Sequence, residues 1–125
     1  MLTNLNYLQK MTGNDSEMMK SMIELFLIQL SEMQGEFELL LGHKNWPELS
    51  RLAHKIKSSA LVMGIEQMVD DMKELEHLAL EGKNVEKYPD FLARFNAMID
   101  LIGVELNKYL DSEKDNVDFK IDNVV

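Results

Sequence analysis

Residues 14–42, NDSEMMKSMIELFLIQLSEMQGEFELLLG, decide the fold. Met19, Met22, Phe26, Leu30, Met33, Phe37 and Leu40 recur there in steps of three and four. That period places them on one side of an α-helix and sustains a core-facing stripe for about six turns. Asn14, Asp15 and Ser16 stand just ahead, with side chains that accept from the free amides of a first helical turn. Gly42 marks the end. A helix this long, apolar on one face, requires other helices or a sheet to cover it.

The flanking sequence supplies helices. About Thr3 to Met11 reads as a short one, with Leu5, Leu8 and Met11 on one side. Asn45 is a cap for the next long helix, and Pro47 suits a first turn, where its missing N–H costs little. That helix runs from about Trp46 to Met63 on the stripe Leu49, Leu52, Ala53, Ile56, Ala60, Met63. Gly64 interrupts it, and Ile65, Met68, Met72, Leu75 and Ala79 carry the pattern on to Gly82. Phe91, Phe95, Met98, Ile102, Leu106 and Tyr109 form a last stripe, entered near Tyr88-Pro89. No stretch alternates as a strand does. Connections of about 3–8 residues favour antiparallel neighbours. The expected fold is all-α: an antiparallel up-down-up-down four-helix bundle with a short additional N-terminal helix, over residues 1–110. Residues 111–125 are charged and lack the period, and a mobile acidic C-terminal tail is expected there.

Composition narrows the function. The 125 residues suit one domain, and 46% hydrophobic content suffices for a core. With 13 Lys+Arg against 22 Asp+Glu, the formal charge is −9. Neither nucleic acid nor an anionic membrane is an expected partner of so acidic a chain. The absence of cysteine excludes a disulfide scaffold, a thiolate metal site and a cysteine nucleophile. No apolar run reaches the length of a membrane span, and the N-terminus lacks a basic start followed by an apolar stretch. A cytoplasmic location is therefore expected. Most of the ten methionines lie on the stripes, where core filling explains them.

The third helix departs from the average. Between His43 and Gly64 one acid, Glu48, faces four bases, Lys44, Arg51, Lys55 and Lys57, a local charge of +3. At 100° per residue His54 falls about 130° from the apolar stripe, so its imidazole faces solvent. Lys57 and Ser58 follow at i+3 and i+4, on the same side. Leu61, two turns on from His54, is an apolar residue at nearly the same azimuth. An imidazole near pH 7 carries a nucleophilic nitrogen. A phosphoryl group on it would bring nearly two negative charges, which an adjacent ammonium offsets and a small neighbour accommodates.

Leu52-Ala53-His54-Lys55-Ile56-Lys57-Ser58-Ser59-Ala60, followed by Gly64, resembles the signature of histidine-containing phosphotransfer (HPt) domains. That signature is His, two residues, Lys, a small residue that is usually Gly, another small residue, and a Gly ten after the His. Tyr7-Leu8 through Gly13-Asn14-Asp15 resembles the family's opening. Gly42-His43-Lys44-Asn45-Trp46 resembles its turn into the histidine helix, and Leu75-Glu76 a recurring pair on the next. The resemblance covers about residues 5–82; beyond them the chain matches only as a helix pattern.

The resemblance implies a phosphoryl carrier without autonomous catalytic activity. Its histidine takes a phosphoryl group from the aspartyl phosphate of a receiver domain and passes it to another receiver. By this resemblance His54 is the phosphorylated residue, Lys57 and Ser58 stabilise the phosphate, and Gly64 is the structural turn. Ser58 stands where the family usually has Gly, a departure that crowds the phosphate by one hydroxymethyl group. The implied partners are receiver domains of a hybrid sensor kinase or of response regulators, with the carrier a monomer. The chain itself needs no cofactor, since Mg²⁺ comes with the receiver. Leu61, Lys55, Arg51 and Met11 are the expected docking residues. Reflection about Gly64 sets Lys73 to His77 level with His54, which makes Glu76 or Lys73 a candidate to orient the ring.

Two other readings compete. Glu74 and His77 have the Glu-x-x-His spacing of half a di-metal bundle site, but no second copy exists, so no metal site is expected. A helical bundle that binds a signalling partner without being phosphorylated is the other; the His54, Lys57 and Gly64 spacing argues against it.

Overall fold

The computed structural model describes the backbone of residues 1–124 and the side chains of residues 1–112. Side-chain caps set the starts of two of the long helices. Helix α1 spans Asn6–Thr12 and α2 spans Ser16–Gly42. The Asp15 carboxylate accepts from the Met18 amide at 3.0 Å and opens α2. Asn45 caps α3, Trp46–Val62, by accepting from the Glu48 amide, and Pro47 sits in the first turn. Helix α4 is Glu66–Glu81, a single 3-10 turn occupies Val85–Lys87, and α5 is Tyr88–Val124. Among the described residues there is no strand.

The four long helices form the expected antiparallel bundle. Their stripes meet in one core that includes Phe26, Phe37, Leu49, Ile56, Met68, Met72, Phe95 and Ile102. Helices α2 and α5 run in opposite directions. Phe37 meets Phe95, Gln34 donates to Asn96 at 2.6 Å, and Tyr109 reaches back to Met19. Asp71 of α4 holds Arg94 of α5 at 2.9 Å. The α3–α4 pair is a hairpin, and on its seam the buried Ser50 donates to the Glu76 carbonyl at 2.8 Å.

Some details differ from the sequence reading. In α2 Ile23 is fully buried, whereas Met22 and Leu40 are only partly covered. In α1 Leu8 and Thr12 are buried, while Met11 is 45% exposed and lies off the core face. Tyr109 is also only partly buried. Helix α5 runs without a break through Val124, past the boundary expected at residue 111. No Gly or Pro stands between Val104 and Val125, and adding a residue to a formed helix is far cheaper than starting one. The mobility expected of residues 111–125 concerns a stretch whose side chains, beyond Ser112, lie outside the described residues.

Residues 1–4 are not helical but cross the end of the bundle at the α3–α4 turn. The Asn4 amide donates to the Met63 carbonyl at 3.0 Å. Glu105 of α5 accepts from the Leu2 amide, the Thr3 amide and the Thr3 hydroxyl at 2.9–3.0 Å. Gly64 turns the chain at φ +64, and a Cβ there would collide with the Asn4 carbonyl oxygen. Glycine is thus required twice, for the left-handed backbone and for the close approach of the strap. Burial acts to raise the Glu105 pKa, but the bonds from Leu2 and Thr3 outweigh it and hold the carboxyl below its ordinary value.

Two outcomes follow for stability. Gly64→Ala should lower the denaturant midpoint by the equivalent of at least ~1–2 kcal/mol, the cost of a left-handed residue with a Cβ. The Glu105 contribution is fully present above the unfolded-state value near 4.5 and is lost as pH falls through the lower folded-state value. Unfolding free energy measured against pH should therefore fall less steeply in acid for Glu105→Ala than for the parent chain.

Candidate functional site

Helix α3 places Leu49, Ala53, Ile56 and Ala60 in the core, all fully buried. The side facing α4 and solvent then carries His54, Lys57 and Leu61. The His54 side chain is 61% exposed and Leu61 57%. Lys57 is 22% exposed, because its stem lies along the seam between the two helices.

One carboxylate organises this face. Glu76, on α4, has its Oε1 2.9 Å from His54 Nδ1 and its Oε2 2.8 Å from Lys57 Nζ. A carboxylate at neutral pH only accepts, so the hydrogen of the neutral imidazole is on Nδ1. The Nε2 lone pair is then the ring's nucleophilic position, and it stands outside the pair with Glu76. The hydrogen bond from Lys57 lowers the Glu76 pKa most; burial opposes it, and the His54 contact lowers it further. The carboxylate is therefore ionised throughout the range in which imidazole titrates.

Lys73 is exposed, and of the two candidates for orienting the ring it is Glu76 that meets His54. Ser58 is exposed, and its hydroxyl donates to the His54 carbonyl at 3.1 Å, a bond within its own helix. Lys55 and Arg51 are exposed, with Arg51 paired to Glu48 one turn earlier. Met11 belongs to the separate helix α1 and is exposed. His43 and His77 are exposed and lie away from His54 in sequence and on other elements. Among the described residues no group of His, Asp and Glu is gathered as metal ligands.

Two depressions flank the histidine helix. One lies on the α3–α4 side and is lined by Leu61, Ile65 and Val69 together with the acidic Glu66 and Asp70. The other lies between α2 and α3 and is lined by Met22, Leu25, Phe26, Ser59 and Val62. The sequence reading missed the second. Its signal is Leu25, an apolar residue lying off the buried stripe and 54% exposed.

Among the described residues no helix is long and apolar enough to cross a membrane. The Hpt domain family model matches residues 21–105. Comparison with curated proteins and with solved structures gives no match.

The shared carboxylate has a direct readout. The Glu76 carboxyl carbon, followed by NMR through acid, should titrate below 4.5, and Lys57→Ala should move its midpoint upward. An unchanged midpoint in that variant would show that Lys57 is not the main cause of the shift.

Proposed function

The chain belongs to the Hpt domain family, and on that premise we propose that it is the phosphoryl carrier of a His–Asp phosphorelay. Membership implies a phosphotransfer role. The finer reading is that His54 accepts a phosphoryl group from the aspartyl phosphate of one receiver domain and delivers it to the Asp of another. The observation that carries it is the exposed His54 ring, anchored through Nδ1 so that Nε2 is the nucleophile.

The step balances simply. The Nε2 lone pair attacks phosphorus in line with the Asp oxygen. An N–P bond forms as the O–P bond breaks, and the bonding electron pair leaves with the Asp carboxylate. The Nδ1 proton stays where it is, and the ring becomes cationic. Glu76, already bonded to that N–H, stabilises the charge that develops. The phosphoryl oxygens arrive beside Lys57, whose ammonium shares Glu76 with the ring on the same face. Return transfer reverses each of these events.

Positioning and charge neutralisation supply most of the catalysis in phosphoryl transfer, so a carrier needs little machinery. In this reading the receiver brings both the acceptor Asp and Mg²⁺, which offsets phosphoryl charge, and this chain holds no cofactor of its own. Leu61 and the apolar side chains lining the two flanking depressions form the hydrophobic part of the docking surface, with Met11 at its edge. Lys55 and Arg51 guide it toward an acidic receiver site. The carrier acts as a monomer in the cytoplasm.

The purified protein, exposed to a phosphorylated receiver bearing labelled phosphate, should acquire an acid-labile label that is lost in His54→Gln. Absence of label with every receiver would favour a bundle that only binds. Lys57→Ala should transfer more slowly while retaining its helical circular dichroism. Loss of that signal would show Lys57 to be structural.

A further inference from the structure

Three side chains from successive turns of α3 converge on one residue of α4. Ser50, His54 and Lys57 stand at i, i+4 and i+7, on one side of the helix. His54 and Lys57 take the two carboxylate oxygens of Glu76. Ser50 takes its backbone carbonyl, at 2.8 Å, and is 6% exposed.

The carbonyl has no need of that bond. Inside α4 it already has the ordinary partner four residues on, and a carbonyl oxygen accepts twice. Nor does the hydroxyl require a partner on another helix. A serine inside a helix can donate to the carbonyl four residues back, as Ser58 does to His54. Ser50 instead bonds across the seam, to the same residue of α4 whose carboxylate meets the imidazole.

The other buried side chains of the two helices are apolar: Met68, Met72, Leu75 and Ala79 on α4, and Leu49, Leu52, Ala53, Ile56 and Ala60 on α3. The two methionines are unbranched and adapt to small shifts. Apolar packing is also non-directional. A slide of one residue along α4, about 1.5 Å, would stretch a bond of this kind beyond hydrogen-bonding range unless the side chain swung to follow.

We propose that Ser50 is a positioning residue: its hydroxyl pins the backbone of Glu76 to α3, so that the carboxylate stands between the His54 imidazole and the Lys57 ammonium. Its consequence for phosphoryl transfer rests on the carrier reading above; the placement of Glu76 does not.

The test compares Ser50→Ala, Ser50→Thr and Glu76→Gln in the ¹⁵N-labelled 125-residue chain, reading the ring nitrogens of His54 by long-range ¹H–¹⁵N correlation. In the parent chain at neutral pH the uncharged ring should show its proton on Nδ1. Ser50→Ala should shift both ring nitrogens toward their positions in Glu76→Gln and leave those of His43 and His77 unmoved. Ser50→Thr, which keeps the hydroxyl, should restore them. In the Glu76→Gln background Ser50→Ala should add nothing. Transfer from a phosphorylated receiver should fall about fivefold in Ser50→Ala, the factor that one ordinary net hydrogen bond is worth.

If Ser50→Ala does not fold, the same resonances are read in Ser50→Cys, whose thiol fills the site but donates weakly. Parent-like His54 resonances in the folded variant, with Glu76→Gln displaced, would overturn the proposal even if His54 is labelled normally. Failure of His54 to take label from any receiver would overturn the carrier reading instead, and the resonances would still decide the role of Ser50.

Discussion

A single carboxylate, Glu76, shared between an imidazole and an ammonium, is the constraint on which the functional face depends. The pair with Lys57 lies at a partly exposed seam, where ion pairs contribute little net stability. Its importance is directional. A free imidazole populates both tautomers and several rotamers, whereas one held at Nδ1 has a fixed proton and a fixed outward nitrogen. The same anion holds the Lys57 ammonium on the seam beside the ring instead of extended into water. The imidazole and the ammonium are thus held in place by contacts within the chain itself.

The architecture around this contact is local. Helices α3 and α4 form a hairpin through Gly64, so Ser50, His54 and Lys57 meet Glu76 with few intervening residues. Helices α2 and α5 close the other side of the core, and the α4–α5 seam is tied by Asp71 and Arg94. At the Gly64 end the N-terminal strap ties the hairpin turn to Glu105 of α5. The histidine helix is therefore braced along one flank by α4 and at its end by the strap.

Much of this was legible in the sequence because it rests on short-range periodicity. The stripes of α3 and α4 follow residue by residue from that period, and the Asn45 cap and the Gly64 and Gly82 turns from their residue types. Glu76 was reachable too, because an antiparallel hairpin maps residues by reflection about its turn. That reflection fixes the level along the axis and not the azimuth, so Lys73 was an equal candidate until the structure placed only Glu76 against the ring. In α2 a stripe through Met22 and one through Ile23 fit the spacing equally well; the packing of neighbouring helices selected Ile23. The clasp of Leu2 and Thr3 by Glu105 joins residues about one hundred positions apart and leaves no trace in any local pattern. Ser50 was invisible for a different reason: a small polar residue beside a stripe looks like surface.

The distribution of charge gives the molecule an electrical orientation. Glu17, Glu24, Glu32, Glu36 and Glu38 are exposed along α2, while Lys44, Arg51 and Lys55 are exposed on or just before α3. The chain is an anion with a cationic panel. In the field of another acidic protein the whole body experiences a torque that turns α3 toward the visitor before contact, while its bulk charge discourages approach by any other side. Counterions shorten the reach of that torque to about one nanometre at cellular ionic strength. Alignment is thus confined to the final approach, when two surfaces are within a few water layers of touching.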